Sequence, residues 1–251
     1  MKIQIFETMQ AASVAGAGII AEAMKGADRF VLGLATGSTP VPTYRELARR
    51  NREGELDFSN VYSYNLDEYA GLDGAHPQSF RYFMDNNLFN HINIPRAHTH
   101  VPSGTGADAD AVAREYDAMI AAAGGIDLQV LGIGNNGHIG FNEPDAVFHR
   151  NTHVVELTES TIEANKRFFE RREDVPRKAI TMGVGGIMGA KKVVLLAFGE
   201  GKADAVRAMV EGEIDPRCPA SILQLHADVT VLLDEAAASK LSRRTREEGR
   251  R

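Results

Sequence analysis

Short apolar runs alternate with amphipathic segments along almost the whole chain. Runs rich in Val, Ile and Leu predict buried strands over 30–35, 61–66, 128–133, 153–157, 179–184, 193–198 and 229–233. Between them, helical spacing predicts helices over 8–25, 41–51, 78–87, 109–123, 160–169, 202–210 and 221–225. Strands separated by helices imply parallel pairing and right-handed crossovers. The expected fold class is α/β, a doubly wound, mostly parallel sheet with helices on both faces. No internal repeat or long low-complexity linker interrupts the pattern, so 1–251 is expected to form one domain. Residues 243–251 are charge-dense and almost free of apolar side chains, which predicts a solvated, frayed tail.

Composition narrows the function classes. A net charge of -6 argues against a general nucleic-acid binder. The single cysteine, Cys218, excludes an intramolecular disulfide framework and fits a reducing compartment. No run approaches the roughly 18 apolar residues needed to span a bilayer. Residues Met1 to Glu7 lack a basic stretch followed by an apolar core, so no signal peptide is expected. The expectation is a cytoplasmic protein with a small-molecule substrate and neither membrane nor nucleic-acid partner.

Three strand ends carry the chemistry. The first is Thr36-Gly37-Ser38-Thr39-Pro40, between a strand and a helix start. Backbone amides and the Ser38 and Thr39 hydroxyls can converge there on an anion at the positive helix end. An ordinary Ser/Thr helix cap is the alternative. The Gly-Lys-Ser/Thr ending of a nucleotide-triphosphate loop is absent, so ATP is not implied. The second strand end offers the acidic pair Asp67 and Glu68. Either could cap the next turn or project into the crevice as a general base, and Asp67 sits nearer the strand end.

The third runs from Gly132 to Pro144 and holds Asn135, Asn136, His138 and Glu143 among four glycines. Glycines let the backbone turn sharply and approach a ligand closely. His138 with Glu143 nearby suits a proton shuttle, the carboxylate orienting the ring and holding its tautomer. Gly132-Ile133-Gly134-Asn135-Asn136-Gly137 formally matches a dinucleotide fingerprint, but Gly140 and Pro144 interrupt the helix that fingerprint requires. Arg167, within a helix-like segment, and Lys202, just past a glycine turn, could reach a phosphate. Their alternative is the commoner fate of Lys and Arg, a solvated surface charge. Cys218 lacks a paired base nearby and reads as a small hydrophobe.

Five segments together resemble the glucosamine-6-phosphate deaminase family. They are Leu-Gly-Leu-Ala-Thr-Gly-Ser-Thr-Pro from Leu32, Asn-Leu-Asp-Glu-Tyr from Asn65, Gly-Ile-Gly-Asn-Asn-Gly-His-Ile-Gly-Phe-Asn-Glu-Pro from Gly132, Ala-Asn-Lys-Arg-Phe-Phe from Ala164 and Thr-Met-Gly-Val-Gly from Thr181. The match runs in order over nearly the whole chain, and the Gly-His-Ile-Gly-Phe-Asn-Glu-Pro stretch is its most specific part. The resemblance implies a Rossmann-like fold and conversion of glucosamine 6-phosphate and water to fructose 6-phosphate and ammonia. It implies Asp67 as the base that moves a proton from C2 to C1. It implies His138 as the ring-opening acid and base, assisted by Glu143 and by Asn136. It places Gly37, Ser38, Thr39, Arg167 and Lys202 around the phosphate. It calls for no metal and no organic cofactor.

Two departures from the family stand out. Some members carry Asp where this chain has Asn136, which can orient but cannot act as a base. Allosteric hexameric members carry basic residues just before the position of Leu157, whereas this chain has Asn151-Thr152-His153-Val154-Val155-Glu156. The chain therefore resembles the compact, non-allosteric branch, with a monomer or small homo-oligomer expected. A lid near 160–176, bounded by Pro176 and carrying Arg167, is a further expectation. The alternatives are a 6-phosphogluconolactonase-like hydrolase, which needs no enolising base, and a catalytically silent sugar-phosphate-binding protein.

Overall fold

The computed structural model describes residues 1–157, 159, 162–163, 166, 169 and 171–250. Along the chain its strands are β1 (Lys2–Phe6), β2 (Phe30–Leu34), β3 (Val61–Asn65), β4 (Asp67–Tyr69), β5 (Thr99–His100), β6 (Leu128–Leu131), β7 (His153–Glu156), β8 (Lys178–Thr181), β9 (Lys192–Ala197) and β10 (Val229–Asp234). Four helices separate the early strands: α1 (Met9–Met24), α2 (Val41–Arg52), α3 (Phe80–Asn87) and α4 (Ala109–Ala122).

Seven strands form one all-parallel sheet in the order β1-β10-β9-β6-β2-β3-β5. Both faces of this sheet are covered. Phe30, Leu32 and Leu34 of β2 pack into one apolar cluster with Ile20 of α1 and Tyr44 of α2. Val31 points into a second cluster on the opposite face, with Leu131, Leu195 and Leu233. Burial on both faces explains why these strands read as continuous apolar runs rather than as alternation.

The strand order reverses between β2 and β6. From β2 the chain runs outward through β3 and β5, then returns to β6 on the other side of β2 and continues outward to β9 and β10. The loops after β2 and β6 therefore leave the sheet side by side, at the topological switch point where open α/β sheets bind ligands.

A second, smaller sheet is antiparallel, beside the mostly parallel architecture that was expected. The runs expected as parallel strands over 153–157 and 179–184 are β7 and β8, and they pair antiparallel with each other. β4, which the apolar pattern did not reveal, completes a three-stranded sheet in the order β4-β8-β7. Leu66 joins the two sheets. Its amide donates to the Leu34 carbonyl at 3.0 Å, and its carbonyl accepts from the Met182 amide at 2.7 Å.

The expected frayed tail is also corrected. Arg243–Gly249 is a helix whose cap, Ser242, accepts from the Thr245 amide. Gly249 is buried against Ile3 and Ile5 of β1, and Thr245 donates to Glu211 at 2.6 Å. The helix expected over 221–225 is a 3-10 turn, Pro219–Leu225. The helix expected over 160–169, Arg167 and much of the expected lid lie outside the described residues.

Candidate active site

At the end of β2 the chain turns through Gly37 and Ser38, which are exposed, and Thr39, which is half-buried, before α2 begins at Val41. Tyr44 ties this turn down. Its buried hydroxyl donates to the Ala35 carbonyl at 2.6 Å and accepts from the Ala35 amide at 3.2 Å. The cap position of α2 is Pro40, which makes no side-chain capping bond, and the first helical turn carries no acidic residue. The alternative of an ordinary Ser/Thr cap is therefore not what the chain builds. Pro42 has no N–H and the Tyr44 amide donates to the Pro40 carbonyl, so the Val41 and Thr43 amides are those left without an intrahelical partner at the positive end of the helix, just after Ser38 and Thr39 in the chain.

The acidic pair divides its work. Glu68 is 1% exposed, and its carboxylate accepts from the amides of Tyr69, Phe80 and Arg81 and from the Ser79 hydroxyl at 2.7–3.0 Å. It is committed to the start of α3. Asp67 is 6% exposed, and its Oδ1 is buried without a hydrogen-bond partner. Burial, with the charge of Glu68 adding to it, pushes the Asp67 carboxyl up to about 8.

The loop after β6 is folded on itself. The Gly134 amide donates to the His138 carbonyl at 2.9 Å, and the Gly137 amide to the Gly134 carbonyl at 3.0 Å. No helix opens at the third glycine of the apparent dinucleotide fingerprint. Gly134 makes room for the imidazole, because a Cβ there would lie 2.3 Å from His138 Cε1 and Nδ1. Asn136 bridges the loop: its Nδ2 donates to Glu143 Oε2 at 2.7 Å, and its Oδ1 accepts from the His138 amide at 3.2 Å. Glu143 Oε1 approaches His138 Nδ1 at 3.3 Å, within ion-pair range but without the alignment of a hydrogen bond. Asn136 thus fixes one carboxylate oxygen so that the other faces the ring.

The loop passes directly over Asp67. Gly140, at φ +59°, brings its backbone so close that a Cβ would lie 3.6 Å from Asp67 Oδ2 and 2.9 Å from Thr181 Oγ1. On the other side it meets the turn after β9, where Gly201 comes within about a side chain's reach of Asn135 and Lys202 follows. Lys202 is half-buried, and desolvation pulls the pKa of its ammonium down. The structure thus gathers Asp67, Asn136, His138 and Glu143 around one loop, with the Lys202 turn against it. Cys218 packs under Gly137, and burial pushes its thiol up, away from an activated nucleophile. Among the described residues, no group of three or more His, Cys, Asp or Glu is arranged to hold a metal ion.

Glu68 takes the capping role that the sequence left open to either acid, and two contributors escaped sequence reasoning: the Tyr44 clamp and Thr181, whose Oγ1 accepts from the Phe141 amide at 3.0 Å. Only Thr181 carried a signal, as the first residue of a segment matched without a role.

The sequence profile of the glucosamine-6-phosphate isomerase/6-phosphogluconolactonase family matches residues 6–232. The chain belongs to this family. Among glucosamine-6-phosphate isomerase relatives, the glucosamine-6-phosphate deaminase of Clostridioides difficile is 54% identical over 242 residues, covering 96% of this chain and 97% of its own. A monomeric glucosamine-6-phosphate deaminase of known structure superposes with a TM-score of 0.92 at 45% identity, over 96% of this chain and 100% of that one. The 6-phosphogluconolactonase of Leishmania guyanensis shares the fold, with a TM-score of 0.75 at 23% identity, over 96% of this chain and 98% of its own.

Proposed function

We propose that this chain is a glucosamine-6-phosphate deaminase of amino-sugar catabolism, converting glucosamine 6-phosphate and water to fructose 6-phosphate and ammonia. One observation carries the reading: an uncommitted, buried carboxyl, Asp67, lies under the same loop that holds the Asn136–Glu143–His138 relay. A lactonase needs the relay but no enolising base. The 54% identity to a deaminase supports the same choice.

The geometry fits the chemistry step by step. The phosphate is held by the open amides of α2 with Gly37, Ser38 and Thr39, and by Lys202. Its distance from the reacting carbons lets its binding energy orient the sugar. His138, steered by Glu143, passes the C1 hydroxyl proton to the ring oxygen and opens the pyranose. The C2 proton is acidic only in the resulting aldehyde. Asp67 removes it and returns it at C1 on one face of a cis-enolamine. Water adds at C2, and ammonia leaves. A carboxyl held near 8 is a stronger base than an exposed one, which favours the proton abstraction.

The expected working form is a cytoplasmic monomer or small homo-oligomer without an allosteric activator. A monomeric relative and the lack of Lys or Arg over 151–156 support that form. Among the described residues, no helix is long and apolar enough to cross a membrane.

The test is direct. Purified protein given glucosamine 6-phosphate should release ammonia and fructose 6-phosphate in equal amounts, and should leave 6-phosphogluconolactone at its spontaneous rate. Lactone hydrolysis without ammonia release would replace this reading with the lactonase one.

A further inference from the structure

We propose that Thr181 is the positioning residue that holds the Asp67 carboxyl and the His138–Glu143 loop in register, so that ring opening and enolisation act on one bound sugar. The proposal rests on the deaminase reading above.

Thr181 ends β8 and is 0% exposed. Its backbone stands opposite Asp67 in the β4–β8 pairing. Its side chain faces the other component, with Oγ1 accepting from the Phe141 amide across 40 residues of chain. At Gly140 a Cβ, were there one, would lie 2.9 Å from Thr181 Oγ1 and 3.6 Å from Asp67 Oδ2, so both groups crowd the same side of that backbone. The next residue repeats the arrangement. Met182 donates its amide to the Leu66 carbonyl at 2.7 Å and accepts from Asn142 Nδ2 at 2.9 Å. Thr181 and Met182 together therefore contact the base strand on one side and the proton-shuttle loop on the other.

Only the hydroxyl of Thr181 makes the side-chain half of this link. Valine preserves the shape and the β-branched fit to a strand but cannot accept from Phe141. The buried amide would lose its partner, and the loop would shift to find another. A displacement on the order of 1 Å between reacting groups is enough to cost about 100-fold in rate. The proposed phosphate groups sit after β2 and, in Lys202, after β9, and among the described residues none of them is hydrogen-bonded to the Thr181 side chain, so binding should survive.

The experiment compares Thr181→Val and Thr181→Ser with the natural protein, measuring ammonia release, KM for glucosamine 6-phosphate and melting temperature. Thr181→Val should lower kcat by tenfold or more while leaving KM within about threefold, and Thr181→Ser should restore kcat to within about threefold. A role in packing alone predicts a lower melting temperature with kcat of the folded enzyme unchanged, and that result would overturn the proposal. If Thr181→Val does not accumulate folded, Thr181→Ser decides alone. Retained kcat supports the hydroxyl, and tenfold loss shows that the methyl group matters instead. Absence of ammonia release by the natural protein rejects the deaminase reading itself. Normal release by both natural protein and Thr181→Val rejects only the role of Thr181.

Discussion

Asp67 and Glu68 are chain neighbours whose carboxylates meet opposite environments: Glu68 accepts four hydrogen bonds at the start of α3, while Asp67 Oδ1 is buried and accepts none. The alternation of a strand separates them. Asp67 faces the loop at Gly140, and Glu68 turns to the other side to cap a helix. The fixed charge on Glu68 also helps keep its neighbour's proton in place.

Asp67→Asn should abolish solvent-proton exchange at C1 of fructose 6-phosphate, with a loss of about 100-fold or more, while phosphate binding persists. The same substitution should change how stability depends on pH. The folded carboxyl holds its proton up to about 8, whereas an unfolded one releases it near roughly 4. Between those values the unfolded chain binds fewer protons, so natural stability falls as pH rises, by up to about 1.4 kcal/mol per unit from this group. Denaturation midpoints of Asp67→Asn measured across that window should lack this component. Parallel pH profiles for the two proteins would show that Asp67 ionises normally.

Glu68→Gln should act on both neighbours. Two of the four donors would face an amide nitrogen instead of an oxygen, so the melting temperature should drop, corresponding to a loss of about 1–3 kcal/mol. The removed negative charge should also move the Asp67-controlled rise of kcat/KM to lower pH. A stability loss with an unmoved profile would confine Glu68 to capping α3.

His138→Gln removes the ring that Glu143 Oε1 faces at 3.3 Å. If the ring serves pyranose opening, substrate analogues locked in the open chain should recover part of the lost rate. An equal defect on open and closed substrates would place His138 in the enolisation step.

Rate against glucosamine 6-phosphate should be hyperbolic, and N-acetylglucosamine 6-phosphate should not lower the half-saturation concentration. The segment from Asn151 to Glu156 offers no cation to a phosphate effector. Glu156 pairs with Lys178 at 3.8 Å, and His153 is stacked on His149 at 4.7 Å with burial pulling its pKa down. A sigmoidal curve straightened by the acetylated sugar would refute the non-allosteric assignment.

Much of this was legible along the chain, because the strands buried on both faces read as apolar runs and the strand-end loops read as polar chemistry. Residues 30–35 and 193–198 were expected as strands and form β2 and β9 with ends shifted by a residue. β4 and β5 span only three and two residues, too few for a periodic signal, and β4 is Asp-Glu-Tyr. The direction of β7 and β8 was misjudged because pairing direction depends on where the intervening chain travels, which local pattern does not encode. The helix Arg243–Gly249 looked disordered because its anchor is a buried glycine against Ile3 and Ile5 at the other end of the sequence. Within the site, residue types named Asp67, His138 and Glu143. Spacing only leaned toward Asp67 over Glu68 and the family resemblance chose it; the physical reason, that Ser79, Phe80 and Arg81 occupy the Glu68 carboxylate, lies in contacts that local pattern does not encode.

The peptide groups flanking Leu66 are both hydrogen-bonded. Leu66 donates to Leu34, the last residue of the strand that feeds the phosphate turn, and accepts from Met182, whose own carbonyl anchors Asn142 of the shuttle loop. Asp67 is the next residue. Hydrogen bonds at this one residue therefore tie together three pieces of chain: the strand that leads to the Gly37–Thr39 turn, the strand of Asp67 and, through Met182, the loop of His138. A shift in any one of them is passed to the other two through backbone, so under the proposed function the fold moves its anchoring and reacting groups together or not at all.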